Sequence, residues 1–138
     1  MTTLYSVAAI LKDARVSCNG NLSERLAGFF TLWGDGAGDF APLAYLFVDE
    51  VIQLGLLLGL PEDMVRKAPS DGMCGMTDEE KLGFTYKELE NVVMGKECEV
   101  CEEKVIIIKD KIDSFKWKRR LLNIPSFLPS YKNADDWK

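Results

Sequence analysis

Apolar positions near the start of the chain recur at helical spacing. Leu4, Val7, Ala8 and Leu11 stand at i, i+3, i+4 and i+7 and predict an amphipathic helix over Thr2–Asp13. Arg15–Cys18 reads as a short strand. Leu22, Leu26, Phe29 and Phe30 predict a helix over Asn21–Leu32, with Asn21 or Ser23 as its cap. Asp49–Leu58 predicts another helix, closed by Gly59 and stopped by Pro61, and Pro61–Lys67 suits a short helical turn. From Lys67 to Thr85 the periodicity fades among Pro69, Gly72, Gly75 and Gly83, which predicts a long loop. Thr77 with Glu80 and Thr85 with Glu88 are spaced as capping boxes, and the second opens a helix over Tyr86–Met94. Glu97–Phe115 is charged at its edges and rich in β-branched residues, and its length favours a helix. A basic cluster, Lys116–Arg120, precedes a tail marked by Pro125 and Pro129.

Composition narrows the chemistry. The 138 residues suffice for one domain and are 47% apolar. The net charge of −5 argues against a nucleic-acid binder. There is no histidine, so His-dependent triads, His-ligated zinc and imidazole bases are excluded. The apolar stretches Phe40–Val48 and Val51–Leu60 are too short and too interrupted to span a membrane. Without a leader pattern at Met1, the expectation is a cytoplasmic chain with no membrane partner. Cys98 and Cys101 form the one CxxC. Its acidic neighbours Glu97, Glu99, Glu102 and Glu103 disfavour thiolates, so two small helix residues is the simpler reading.

The glycine-rich segment Gly34-Asp-Gly-Ala-Gly-Asp39 fits neither a dinucleotide fingerprint, nor a Walker loop, nor an EF-hand. It is either a polar turn with solvated acids or a site where Glu24, Asp35 and Asp39 accept from hydroxyls or hold a hard cation.

Two blocks carry a resemblance. Lys67-Ala-Pro-Ser-Asp-Gly-Met-Cys-Gly-Met-Thr-Asp-Glu-Glu-Lys-Leu-Gly-Phe-Thr-Tyr86 resembles a segment of the ammonia-dependent NAD synthetase family. Asn21-Leu-Ser-Glu24, followed by Gly28–Leu43, resembles the same family's upstream block, in the same order and spacing. The likeness is close over Met1–Glu90 and looser over Lys116–Phe127. It implies an α/β fold: a partial, Rossmann-like layer of the adenine-nucleotide-hydrolase kind, with few short parallel strands and mostly helices. Residues 1–138 would be the C-terminal part of such a domain: 1–95 a core with substrate loops, 96–115 a helix, 116–138 an irregular basic tail.

The resemblance implies an amide-forming ligase of NAD biosynthesis. ATP would adenylate the nicotinate carboxylate of deamido-NAD, and ammonia would then displace AMP. It places Mg2+ on Glu24, ATP near Asn19 and Ser70, and deamido-NAD near Asp39 and Lys118. A mobile loop over Ser70–Leu82 would close on the substrates, with Gly72 and Gly75 as hinges, and the partner would be a second copy. The departures matter too. Asn19 replaces a Thr, and Leu32 and Val48 replace lysines. Phe47 replaces a capping Thr, and Trp117 replaces a His beside Lys118. The family's Ser-Gly-Gly-x-Asp-Ser phosphate loop is absent. The expectation is therefore a truncated form that needs the missing half. The alternative is a catalytically silent dinucleotide-binding or synthetase-pairing module.

Overall fold

The computed structural model describes residues 1–70, 75–122, 124–129 and 131–132. Eight α-helices follow one another among these residues: α1 Thr2–Ile10, α2 Leu22–Ala27, α3 Val48–Leu57, α4 Glu62–Val65, α5 Asp78–Leu82, α6 Tyr86–Val93, α7 Glu102–Ser114 and α8 Lys116–Leu121. Extended pairing among the described residues is limited to two isolated parallel bridges, Ser17 with Phe40 and Ala41 with Ser126. The architecture is thus mostly helical with very little strand.

Three helices begin on full capping boxes, Asn21 with Glu24, Thr77 with Glu80 and Thr85 with Glu88. Each satisfies two backbone donors that a helix N-terminus otherwise leaves open. The main core gathers Leu22, Leu26 and Ala27 of α2 with Phe47, Leu82, Phe84, Tyr86, Leu89, Val92, Val100 and Ile108. A smaller cluster of Cys18, Ala41 and Ala44 lies under the strand-like segments.

Several boundaries differ from those the periodicity predicts. The helix expected over Asn21–Leu32 ends at Ala27, because Gly28 takes a left-handed conformation, φ +68°. The loop expected over Lys67–Thr85 contains α5, whose five residues are too few to show a period. The helix expected over 96–115 is a 3-10 turn, Glu97–Glu99, followed by α7. The tail expected to be irregular over 116–138 starts as α8, so its basic residues are helical. The largest difference is α1. It forms, but none of its residues is buried, and Ile10 is 84% exposed. Its apolar stripe is left largely open among the described residues.

Candidate functional site

A cleft of about 820 Å3 opens beside α2 and is lined by Ser17, Asn19, Glu24, Asp35, Ser70 and Asp78, together with apolar wall from Leu4, Phe29 and Phe30. Local rules place each polar group. Glu24 is the third residue of α2, where its Oε2 accepts the Asn21 N–H at 2.9 Å while the Asn21 side chain accepts the Glu24 N–H at 3.0 Å. The box engages Oε2 alone and fixes the carboxylate at the cleft wall. Asp35 sits in a tight turn in which its Oδ1 accepts the Thr31 N–H at 2.9 Å. That turn lies against the strand-like segment so closely that a Cβ on Gly38 would come within 2.6 Å of the Cys18 nitrogen. Asp78 is buried at the start of α5. Its N–H donates to Pro69 O at 3.0 Å, which draws Ser70 to the cleft, and the Tyr86 hydroxyl donates to its Oδ2 at 3.4 Å.

Burial pushes the Glu24 carboxyl up to about 6; the charges of Asp78 and Asp35 add to the rise and the Asn21 N–H opposes it. Burial, with Glu24 and Asp78 close by, likewise raises the Tyr86 hydroxyl, which stays a donor. A carboxylate crowded by like charges gains from a cation. Among the described residues no three Cys, Asp or Glu side chains form a metal-holding group. An all-protein cage is therefore not what this cleft offers. A hard oxygen from Glu24 fits the other common arrangement for Mg2+, in which one or two carboxylates act together with substrate phosphates and water.

Three of the five residues singled out from sequence meet in this cleft: Asn19, Glu24 and Ser70. The other two hold the walls. Asp39 Oδ2 accepts the Val16 N–H at 2.7 Å, and the Asp39 N–H donates to Val16 O at 2.7 Å, so Asp39 ties two extended segments together. Lys118 Nζ donates to Gly28 O at 2.9 Å and to Phe30 O, and lies 4.4 Å from the Phe30 ring centre. It holds the carbonyls of the turn that follows α2, while Arg119 holds the α2 carbonyl of Leu26. Burial lowers the affinity of Lys118 for the proton, and Asp35 partly restores it. Asp78 and Ser17 were missed from sequence. The Thr77 box located α5 but not what α5 faces, and Ser17 carries no motif. The proposed hinge Gly72 and the residues 71–74 around it lie outside the described residues. Trp117 is exposed, and Val48 N–H donates to the Ser23 hydroxyl at 3.2 Å.

The strand-like edge is half used. Val16 O and Cys18 N–H pair with residues 39 and 40. Alternation then points the Ser17 backbone the other way, and among the described residues nothing pairs with it.

A family model described as NAD synthase matches residues 1–121. The NH(3)-dependent NAD(+) synthetase of Carboxydothermus hydrogenoformans is 40% identical over 126 residues, which cover 91% of this chain and 51% of that protein. The one from Pyrococcus furiosus is 37% identical over 134 residues, 88% of this chain and 52% of the relative. Among solved structures, an NMN synthetase from Francisella tularensis overlays with a TM-score of 0.77 at 32% identity, over 94% of this chain and 52% of that one. An NH3-dependent NAD synthetase from Campylobacter jejuni, in complex with nitrate ion, overlays with a TM-score of 0.63 at 25% identity, over 94% and 51%. The chain spans about half the length of the curated relatives it matches.

Proposed function

The chain belongs to the NAD synthase family, and from that membership we propose that it is the substrate-facing half of an ATP-dependent amide ligase of NAD biosynthesis. The observation that carries this reading is the convergence of Asn19, Glu24 and Ser70 on one cleft. In this reading Asn19 and Ser70 hydrogen-bond ATP, and Glu24 holds Mg2+, which supplies charge neutralisation at the phosphates. Asp39 and Lys118 contact deamido-NAD only through the atoms their wall contacts leave, Asp39 Oδ1 and one proton of Lys118 Nζ. The apolar wall from Phe29 and Phe30 excludes water from the acyl-adenylate before ammonia attacks.

The chain spans about half the length of its relatives, and in this reading activity needs the family's other half. The open backbone edge at Ser17, beside the unburied stripe of α1, supports a partner that adds a parallel strand and covers α1. That partner is the complementary half of such a synthetase, and the two bridges are then the edge of a larger parallel layer. Mixing the chain with deamido-NAD, ATP, Mg2+ and ammonia should give no NAD, and adding the complementary half should give NAD. Absence of NAD in both cases defeats the reading, and deamido-NAD binding without turnover would leave a silent binding module.

A second reading concerns the substrate. The Francisella neighbour is named as an NMN synthetase and overlays more closely than the NAD synthetase described above. Leu32 also stands where the resemblance implies a cationic substrate contact, and Trp117 stands where it implies a His beside Lys118. Offering the reconstituted pair nicotinate mononucleotide and deamido-NAD in competition decides between them.

A further inference from the structure

Cys98 and Cys101 take no part in the cleft. Both are free thiols and both are exposed. They flank the turn that joins the 3-10 turn to α7. Val100 N–H donates to Glu97 O at 2.9 Å, and Val100 itself is extended, φ −126° and ψ 141°. A helical residue followed by an extended one is the type VIII combination, a turn class whose flanking Cα atoms lie within about 7 Å. Disulfides reach almost that span, about 6.8 Å, so closure draws the turn in only slightly. The Val100 side chain is buried in the main core, which holds the turn in place between the two cysteines. Cys101 is the N-cap of α7 but makes no side-chain cap bond, so its sulfur is not committed to the helix.

The charge around the pair is predominantly acidic. Glu97, Glu99, Glu102 and Glu103 flank it, and Glu102 and Glu103 are exposed. Three lysines stand near it: Lys96, the exposed N-cap of the 3-10 turn, Lys109, which pairs with Glu97 at 2.8 Å, and Lys104, which pairs with Glu88 at 2.7 Å. Such a field raises the local concentration of a cationic reagent and lowers that of an anionic one.

We propose that Cys98 and Cys101 form a dithiol modification site that closes to an intramolecular disulfide by exchange with a positively charged, low-molecular-weight disulfide. One thiolate attacks a sulfur of the reagent, forms a mixed disulfide and releases the first reagent thiol. The second cysteine attacks the protein sulfur of that mixed disulfide and releases the second reagent thiol. Both protons leave on the two released thiols, and the reagent is the oxidant. The site is independent of the ligase reading.

The test treats the intact chain with cystamine, hydroxyethyl disulfide or dithiodipropionate at equal concentration and follows it by mass and peptide mapping. The expected product lacks two hydrogens, located in the peptide joining Cys98 to Cys101. Cystamine should react several-fold faster than the neutral reagent, the anion slowest, and the order should collapse in about 1 M salt, where the screening length is about 3 Å. Cys98→Ser and Cys101→Ser should each retain one adduct in that peptide and not close. Equal rates for all three reagents at low salt, or stable adducts on both cysteines of the unaltered chain, would overturn the proposal.

Discussion

Glu24 serves the helix and the cleft at once, and the two roles differ in their pH dependence. Its carboxyl is raised from 4.5 to about 6, so the folded chain binds that proton more tightly than the unfolded chain. Stability therefore falls as pH rises from about 4.5 to about 6 and stays lower above it. At about 1.4 kcal/mol per unit, the loss reaches roughly 2 kcal/mol. Glu24→Gln keeps a capping-box acceptor without the charge. Urea unfolding in metal-free buffer should show the variant gaining on the unaltered chain across that window, while the reconstituted ligase loses activity. A constant difference from pH 4 to 7 would remove the account. Glu50 shows the opposite sign. Burial alone would raise it, but Lys132, the Phe47 N–H and Tyr131 together hold it below the usual range. Its stabilisation is present above pH 4.5 and is lost as pH falls through the lowered folded value. Lys132→Met should cost about 1–2 kcal/mol and flatten that acid limb, read by thermal unfolding at pH 3 and pH 7.

At the scale of elements, the junction of α2 with α7 and α8 holds the closest glycine packing among the described residues. Gly28 ends α2 at φ +68°, and a Cβ there would lie 2.2 Å from Phe115 Cγ and 2.6 Å from its Cβ. Both the conformation and the space demand glycine. Gly28→Ala should cost about 2–4 kcal/mol, with the loss visible as a lower urea midpoint at unchanged slope. What was legible at this scale was local. The Thr77 and Thr85 boxes could be read because their partners stand three residues apart. The early stop of α2 could not, because Phe29 and Phe30 continue the apolar period past the glycine that breaks it. The cleft was legible in part for the same reason: motif blocks marked Asn19, Glu24 and Ser70. Asp78 reaches the cleft through contacts between distant segments, which spacing does not encode. Asp39 and Lys118 were marked by the family resemblance, but a matched position does not reveal that backbone groups already hold them.

For the whole molecule, the central fact is an apolar face left open among the described residues. Pattern predicted the stripe of α1 correctly as a stripe, but a stripe specifies a buried face and not the element that buries it. Leu4, Val7, Ile10 and Leu11 remain largely open, beside an unpaired edge at Ser17. An open edge with exposed apolar surface favours self-association. Light scattering of the isolated chain should show concentration-dependent association, reduced by the complementary half. In hydrogen exchange the α1 amides should be the least protected helical amides alone and should gain protection in the mixture. Unchanged α1 exchange would place the partner elsewhere.

The two consecutive cations of α8 tell a further story when time is considered. Lys118 holds the carbonyls of Gly28 and Phe30, and Arg119 holds those of Leu26 and Ile112. All but one of these carbonyls lie about ninety positions upstream, so a ribosome reading the message in order makes the cleft wall long before it makes the braces. The nascent chain carries an unfinished cleft over that interval. A stop codon just after Phe115 would delete no residue that lines the cleft and would still leave it without its back wall.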